Sequence, residues 1–376
     1  MRVGIIGGSS LMERRNIELS VEETVFVTVQ QALRSAGLNR EELDTVVQCG
    51  DDVLDGISIN HVYQVEAAGS FLKDESKVER DGAWGVMYAM AKLLTGKFQT
   101  AMVVAYSKSS QVGYSPFTGM MADPYFLRPV GLDGDSAAGL QASFYMQRGA
   151  DEQDFAEVAA RNRRNGSRNP RAMAGEGMEV SAADVLESAP IAEPVNELSR
   201  AREGDGCVVL ILASEDYIRN QNRKASFIRS TAFFSDVYYP TFRSLDRLDS
   251  VSRAIRKAEE KGGCSAQDVD FAELHECYGH QELMLYEALG WSDNGGHYLR
   301  SGAAEADGTR PCNVSGGSLC SHVPYATGIM RLYEAHLQLV GEAGPIQLGK
   351  ADLALVHSQA GLAMQSNIVF FLEGDR

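Results

Sequence analysis

EETVFVTVQQALRSAGLNREELDTVVQCG, residues 22–50, and LDSVSRAIRKAEEKGGCSAQDVDFAELHE, residues 248–276, follow one plan of helical pattern, glycine turn, acidic residue and apolar strand. Three positions of the first stretch recur in the second at a constant offset of 226 residues. They are Ala32 and Ala258, Gly37 and Gly263, and Asp44 and Asp270. Self-similarity at a fixed spacing indicates a repeated structural unit. The sequence therefore predicts two similar halves.

A second pair of patterns extends the repeat. A helix and a strand at residues 87–94 and 101–105 are echoed at residues 329–339 and 353–357. Alternation of helices and strands is typical of α/β proteins built from βαβαβ-type units. We therefore predict an N-terminal half at residues 1–221 and a C-terminal half at residues 222–376.

The first half contains an insertion with no counterpart in the second, at residues 110–200 or thereabouts. Helical patterns occupy residues 136–146 and 151–165 within it. A basic cluster follows in an otherwise acidic chain: Arg161, Arg163, Arg164, Arg168 and Arg171. The cluster is either a solvated helix face or a phosphate site, because arginine forks match phosphate oxygens. Arg163 and Arg164 are the candidates for substrate binding.

The composition excludes several classes of function. Lys and Arg total 35 against 51 acidic residues, and the net charge of -16 disfavours nucleic acid and anionic lipid as partners. No stretch reaches the ~18 apolar residues of a membrane helix, and the start MRVGIIGGSS lacks the apolar core of a signal peptide. Gly7-Gly8 lacks the G-x-G-x-x-G spacing of a dinucleotide site. We expect a cytoplasmic protein that binds neither nucleic acid nor a membrane.

The cysteines predict no metal centre. Six are scattered along the chain, at positions 49, 207, 264, 277, 312 and 320, without a C-x-x-C pair. This spacing argues against both a zinc site and a disulfide scaffold. We therefore expect reduced thiols, no metal ion and no bound cofactor.

Two loops of the second half carry a family resemblance. His275-Glu276-Cys277-Tyr278 follows a predicted strand, and SHVPYATG at residues 321–328 follows Gly316-Gly317. The first resembles the Asn-Glu-Ala-Phe loop of the thiolase superfamily, and more closely the His-Asp-Cys-Phe form of sterol-carrier-protein thiolases. The second resembles the family's Gly-His-Pro-Leu-Gly-Ala-Thr-Gly loop. Residues 162–165, 169–172 and 192–194 of the insertion look like the same branch.

The resemblance implies the thiolase fold, in which two similar halves form a five-layered α-β-α-β-α core. It also implies acyl-coenzyme A substrates, with coenzyme A present only as part of the substrate. His275 and His322 would stabilise an oxyanion or enolate, and Ser358 stands where biosynthetic thiolases carry a second catalytic cysteine. Tyr278, Gly317 and Tyr325 are the further substrate-binding candidates in these loops.

One departure from the family concerns its nucleophilic cysteine. Counting back from Gly96 by the family's usual helix length places this position at Glu79, and a helix one turn shorter places it at Gly82. Neither residue has a thiol. Glu79 is then either a carboxylate at a helix start or, if dehydrated, a general base.

An enzyme with these histidines but without this thiol can still break or make a carbon–carbon bond beside a thioester, and retro-aldol cleavage is one such reaction. Thiolase-like aldolases belong to this branch, although they carry tyrosines where this chain has His275 and, in a neighbouring loop, His322. Two alternatives stay open. The chain could be a non-catalytic subunit that supports a partner, or an acyltransferase or thiolase with a relocated nucleophile such as Cys320.

Two kinds of protein partner are predicted. The helix near Gly82 is apolar on most faces, which together with the family's architecture predicts a homodimer. The resemblance also implies a small OB-fold, zinc-ribbon partner, since thiolase-like chains of this branch often pair with one.

Overall fold

The computed structural model describes residues 2–173 and 179–375, and it shows a mixed α/β fold around one large sheet. The strands are β1 (Val3–Glu13), β2 (Thr45–Cys49), β3 (Asp74–Val78), β4 (Thr100–Lys108), β5 (Pro190–Ala192), β6 (Val195–Asn196), β7 (Asp205–Ser214), β8 (Ser226–Ser235), β9 (Phe271–Glu273), β10 (Leu353–Ala360) and β11 (Ser366–Gly374). The helices are α1 (Val21–Ala36), α2 (Asp52–Asp55), α3 (Gly82–Leu94), α4 (Tyr114–Met120), α5 (Gly134–Met146), α6 (Glu152–Gly166), α7 (Ala182–Glu187), α8 (Glu215–Asn220), α9 (Asp249–Gly262), α10 (Gly279–Ala288), α11 (Gly295–Arg300), α12 (Gly317–Cys320) and α13 (Thr327–Leu339).

The sheet repeats one strand pattern. Its order is β3-β2-β4-β7-β1-β8-β11-β10-β9. In the first part β2 runs parallel to β4, and β4, β7 and β1 then pair antiparallel. In the second part β9 runs parallel to β10, and β10, β11 and β8 pair antiparallel. A short antiparallel pairing of β1 with β8 joins the two parts.

The repeat seen in the sequence has a local structural cause. Helices α1 and α9 end at Gly37 and Gly263, whose φ angles of 61° and 56° lie in the left-handed region that glycine enters without a Cβ penalty. The Asp44 carboxylate accepts hydrogen bonds from backbone amides at the start of β4, and Asp270 does the same at the start of β10. Asp44, which precedes β2, therefore links β2 to β4, and Asp270, which precedes β9, links β9 to β10.

Three apolar clusters confirm the five-layered core. The first packs α1 against β2, β4 and β7. The second packs α3 and α13 between the two parts of the sheet. The third packs α9, with α6 and α10, against the outer face of β8, β10 and β11. The two central helices therefore lie side by side, and their N-termini reach the same region.

The predicted insertion contains α4 to α7 and the β5-β6 hairpin, and α5 and α6 occupy the two predicted helical patterns. The predicted boundary at residues 221 and 222 lies between α8 and β8, and this division into halves stays a prediction. Residues Ala83, Trp84 and Val86 of α3 are buried within the chain itself, so their apolarity does not require a second subunit. The homodimer also stays a prediction. Within the described ranges, the longest and most apolar helices fall short of what a membrane crossing requires.

Candidate active site

The two histidine loops meet at a cavity of about 90 Å³ near the N-termini of α3 and α13. Its polar lining comes from Asp81, His275, Cys277, His322, Tyr325, Thr327 and Gln359. Phe117, Met121 and Pro324 supply much of its apolar wall. A small cavity that combines apolar walls with a few convergent polar groups is typical of a site for a small reacting group.

His275 follows β9 directly, and its ring is buried with 5% of the residue exposed. Its Nδ1 lies 3.2 Å from the Ser358 hydroxyl, and the Gln359 side-chain amide donates to its backbone carbonyl at 2.8 Å. Burial lowers the pKa of His275 well below its ordinary value, and neighbouring His322 acts in the same direction. The imidazole is therefore neutral at physiological pH and can accept a proton.

His322 precedes α13 and is likewise buried. Its Nδ1 lies 2.9 Å from the Thr327 hydroxyl, which also lies 2.8 Å from the Val323 carbonyl. The hydroxyl has one hydrogen, so His322 carries its own on Nε2 when Thr327 donates to the ring, and on Nδ1 when Thr327 donates to Val323. Burial, with Arg200 as the next cause, lowers the pKa of His322 to about 3. The centroids of the two rings lie 6.1 Å apart, and their planes are tilted by 54°.

Asp81 is a site residue that the sequence reasoning missed. It caps α3 by accepting from the Ala83 amide at 2.9 Å, and it accepts from the Gly328 amide in the first turn of α13, also at 2.9 Å. Burial raises the pKa of Asp81 to about 6, although these hydrogen bonds oppose the shift. The signal that could have revealed it is an aspartate immediately before an apolar helical run, which marks an N-cap.

Ser358 connects Asp81 to His275. Its hydroxyl lies 3.3 Å from Asp81 Oδ1 and 3.2 Å from His275 Nδ1. An ionised carboxylate is the stronger acceptor, so Ser358 donates to Asp81 and accepts from the Nδ1–H of His275 at 3.2 Å, in preference to the longer 3.5 Å contact in which the Gln359 backbone amide would donate to Nδ1. This arrangement leaves the lone pair of His275 on Nε2 and orients the ring.

The two positions considered for the family's nucleophile do not face this cavity. The Glu79 side chain is 53% exposed, accepts from the Asp52 amide at 3.1 Å and lies 3.6 Å from the Lys77 ammonium. Gly82 lies in the packed interior, where an added Cβ would come within 2.8 Å of the Ala105 and Ile329 side chains. The residue that the helix start presents to the cavity is Asp81.

The three other loop candidates have different surroundings. Tyr325 lines the cavity, and its hydroxyl donates to Asp51 at 2.6 Å. The Tyr278 hydroxyl donates to Asp135 at 2.8 Å, away from the lining. Gly317 also lies outside the lining, and an added Cβ would approach Glu276 Oε1 to 2.4 Å.

Glu276 of the first motif anchors both loops. Its carboxyl group, fully buried, accepts from the Asn162 and Asn313 side-chain amides and from the Leu319 backbone amide. Burial and then the neighbouring Glu282 raise the pKa of Glu276 to about 8. The motif glutamate therefore holds the loop of His275, α12 and the insertion together without facing the cavity.

The basic cluster of the insertion is not at the cavity either. Arg163 is buried and donates to the Leu198 and Arg200 carbonyls, and Arg164 lies at the surface beside Glu305. Arg161 and Arg171 form ion pairs with Glu282 and Glu334, and Arg168 is exposed. The structure thus places four of these arginines in contacts within the chain, whereas a phosphate site would require them to converge on open space.

Cys277 and Cys320, the two cysteines of the motif loops, have different surroundings. Cys277 lines the cavity, with its Sγ 3.6 Å from His275 Nε2. Cys320 is fully buried outside the lining, and its thiol lies 3.4 Å from the Asn162 carbonyl. Burial raises the pKa of Cys320 to about 11. Cys320 therefore has neither the access nor the acidity that a relocated nucleophile needs.

Comparison with known proteins agrees with the thiolase-type fold. Residues 241–373 match the family model described as thiolase C-terminal domain-like. The chain is 25% identical over 370 residues to an acetyl-CoA acetyltransferase of Methanothermobacter thermautotrophicus, which covers 96% of each protein. It is 30% identical over 213 residues to sterol carrier protein 2 of Oryctolagus cuniculus, which covers 54% of this chain and 39% of that protein.

Among solved structures, the Ltp2-ChsH2(DUF35) aldolase has a TM-score of 0.84 to this chain, at 22% identity and with 100% and 98% of the two chains covered. At this identity the likeness concerns the fold. The duplicated α/β core and these matches together show that the chain has the thiolase fold, with residues 241–373 matching the thiolase C-terminal domain-like family.

Proposed function

We propose that the protein cleaves or forms a carbon–carbon bond beside an acyl-coenzyme A thioester, by retro-aldol or aldol chemistry, without a cysteinyl acyl-enzyme. The observation that carries the proposal is the start of α3, which presents the Asp81 carboxylate to a cavity lined by two neutral histidines. A carboxylate here supports proton transfer, whereas a thiol would support covalent acyl transfer.

The cysteine that does line the cavity is a poor nucleophile. Burial raises the pKa of Cys277, and the nearby Glu276, Asp81 and Asp135 raise it further. The thiolate, and not the thiol, attacks carbonyl carbons. Near neutral pH, Cys277 therefore stays protonated, which disfavours an acyl-enzyme at this position.

In the cleavage direction, His275 Nε2 takes the proton of the β-hydroxyl group of a 3-hydroxyacyl thioester. The bond between the α and β carbons breaks, the β carbon leaves as an aldehyde or ketone, and the electron pair forms the thioester enolate. His322, with its hydrogen on Nε2, donates to the enolate oxygen. His275 then returns the proton to the α carbon, which gives a shorter acyl thioester and restores the site.

Asp81 and Ser358 position His275 in this scheme. The Nδ1–H of His275 points to Ser358, and Ser358 points to the carboxylate, so the positive charge that develops on the ring is stabilised. A non-catalytic subunit would have no need of this hydrogen-bonded chain. That alternative remains the rival proposal, and direct assay separates the two.

A partner protein is part of the proposal. The aldolase with the similar fold is named for its ChsH2(DUF35) component, and we extend the idea of a small OB-fold, zinc-ribbon partner, together with a homodimer, to this chain. If the partner completes the acyl-binding side, activity of the purified chain rises when it is added. Full activity of the single chain, unchanged by the partner, would contradict this part.

The test of the chemistry uses a panel of 3-hydroxyacyl-coenzyme A thioesters and mass spectrometry of the products. We expect a shorter acyl-coenzyme A and an equal amount of a carbonyl compound, with no acyl mass added to the intact protein. His275→Ala should lose turnover, while His297→Ala, which removes an exposed histidine, should not. An acyl adduct on the protein that disappears in Cys277→Ala or Cys320→Ala would contradict the proposal.

A further inference from the structure

The sequence predicts no metal site, but the fold brings three potential ligands together. We propose that His275, Cys277 and His322 form a binding site for a transition-metal ion such as Zn²⁺, and that the ion inhibits the enzyme. The three ligand atoms, one per side chain, all lie within 4.8 Å of one another. The inhibitory effect rests on the proposed function, whereas the binding itself does not.

The distances are close to those of a bound ion. Zn–N bonds of about 2.0 Å and Zn–S bonds of about 2.3 Å place tetrahedral ligand atoms roughly 3.3 to 3.6 Å apart. His275 Nε2 and Cys277 Sγ already lie 3.6 Å apart. Even the widest separation that the cluster allows, 4.8 Å, needs to close by only about 1.2 to 1.5 Å.

Both histidines are anchored in the way that metal-binding histidines usually are. Nδ1 of His275 is held by Ser358, and Nδ1 of His322 is held by Thr327. A hydrogen bond at one ring nitrogen fixes the ring and selects the other nitrogen as ligand. Here that other nitrogen is Nε2 in both rings, with the His322 hydrogen on Nδ1 and donated to Thr327.

The ligand types select the metal. Two imidazoles and one thiolate suit Zn²⁺ or Co²⁺ and do not suit Mg²⁺ or Ca²⁺, which prefer oxygen ligands. Three protein ligands leave a fourth position toward the cavity. On binding, the Cys277 thiol becomes a thiolate and releases one proton to solvent, so no oxidation or reduction occurs.

Inhibition follows because the ion and the proposed reaction would use the same two ring nitrogens. The proposed reaction needs His275 Nε2 as a base and the Nε2–H of His322 as a donor, and an ion on both nitrogens removes both functions. An acyl thioester and the ion therefore compete for the cavity. We expect Zn²⁺ inhibition that chelation reverses and that higher substrate concentrations weaken.

The experiment titrates the full-length protein with Co²⁺ and Zn²⁺ in the presence of the reductant TCEP. Co²⁺ should produce thiolate-to-cobalt charge-transfer absorption in the near ultraviolet at one ion per chain, Zn²⁺ should abolish it, and about one proton should be released per ion. His322→Ala and Cys277→Ser should each weaken binding by at least about tenfold, as loss of a ligand requires. Cys264→Ser and His297→Ala, which change residues outside the cavity, should retain the signal.

The outcomes separate the two proposals. A signal that disappears in the cavity variants supports the site, while no signal, or one that persists in Cys277→Ser, overturns it. Neither result depends on turnover. If the protein cleaves no thioester but binds Co²⁺ as described, the proposed function fails and the site stands. If it cleaves thioesters but gives no Co²⁺ signal, the site fails and the proposed function stands. If it does both and Zn²⁺ leaves turnover unchanged, the inhibitory effect is overturned.

Discussion

Replacing Asp81 by asparagine tests whether this carboxylate is buried and strained in the way that the site requires. Its Oδ1 accepts from the Ala83 amide and the Ser358 hydroxyl, and its Oδ2 accepts from the Gly328 amide. The single carbonyl oxygen of asparagine can serve the Oδ1 partners. Its NH₂ group then faces the Gly328 amide, and this loss costs about 1 to 3 kcal/mol at every pH.

A second contribution depends on pH and has the opposite sign. The pKa of Asp81 is raised from 3.8 to about 6 in the folded protein. A raised pKa means that the folded state binds the proton more tightly, so this stabilisation is fully present below pH 3.8 and is lost as pH rises through about 6. Ionisation thus costs the folded wild type about 2 kcal/mol at pH 5 and about 3 kcal/mol at pH 7. Asparagine escapes this cost.

The expected result is that the difference in unfolding free energy between Asp81→Asn and wild type changes with pH. Between pH 5 and pH 7, the unfolding free energy of Asp81→Asn should rise relative to wild type by about 1 kcal/mol. Urea unfolding at fixed protein concentration measures this quantity. Asp151→Asn is the matched control, because it removes the charge of an exposed N-cap aspartate from α6 while the asparagine oxygen can still accept from the helix amide.

The reasoning would be refuted if the Asp81→Asn difference were the same at both pH values, or if Asp151→Asn showed the same trend. The first result would mean that Asp81 is not a buried carboxylate with a raised pKa. The second would mean that the trend belongs to helix caps in general. Activity gives an independent readout, since loss of the charge behind Ser358 should lower kcat more than it changes KM.

Three further predictions concern single side chains. His322→Ala should lower kcat by ~10²-fold or more in steady-state assays, as loss of a preorganised donor does, and a smaller loss would argue against a role in holding the enolate. Glu79→Gln should leave kcat within about twofold, because the Glu79 side chain is exposed and loss of an exposed ion pair seldom costs more than ~1 kcal/mol of stability. A large loss of kcat would instead indicate that Glu79 acts in the site. Gly317→Ala should lower the urea midpoint of unfolding, because the new methyl group would meet Glu276 and the backbone φ of 62° favours glycine. An unchanged midpoint would show that the loop can shift to accommodate the methyl group.

The sequence predicted the fold well because the decisive signals either act locally or recur at one offset. Gly37 and Gly263 end helices in the left-handed conformation, and Asp44 and Asp270 bind the start of a neighbouring strand. The glycines act within a few residues of their position, whereas the aspartates act across 55 to 83 positions and are recognisable because they recur. Two copies at one offset then fix the duplicated architecture, and the motif loops locate His275 and His322.

The sequence failed where a long-range contact has no repeated counterpart along the chain. Asp81 meets Ser358 across 277 positions, and Ser358 meets His275 across 83. Counting along a helix from Gly96 found Glu79, because a count carries no information about the N-cap that sets where α3 begins. The N-cap signal of Asp81 was present in the sequence, but its approach to the cavity depends on α13, which only the folded chain supplies.

For a related reason, the sequence could not show whether the arginine cluster binds a phosphate group or carboxylates of the chain. A sequence shows where positive charge lies but not which carboxylates it meets, and Arg161 and Arg171 meet Glu282 and Glu334 from the other half. Buried charges require such partners, because an unpaired ion inside a protein costs several kcal/mol. When a basic segment also carries apolar residues that bury it, its arginines are thus better interpreted as partners of buried carboxylates than as ligands of a phosphate group.

The motif residues divide into those that line the cavity and those that hold the loops in place. Neutral histidines are useful here only if they stay fixed, since preorganised donors and bases outperform mobile ones. Glu276 supplies that rigidity by accepting hydrogen bonds from Asn162, Asn313 and Leu319, which lie on three separate segments. Gly317 permits the close approach that this network needs. A resemblance between motifs therefore locates both loops, but it cannot separate His275, which faces the cavity, from the residues that keep it there.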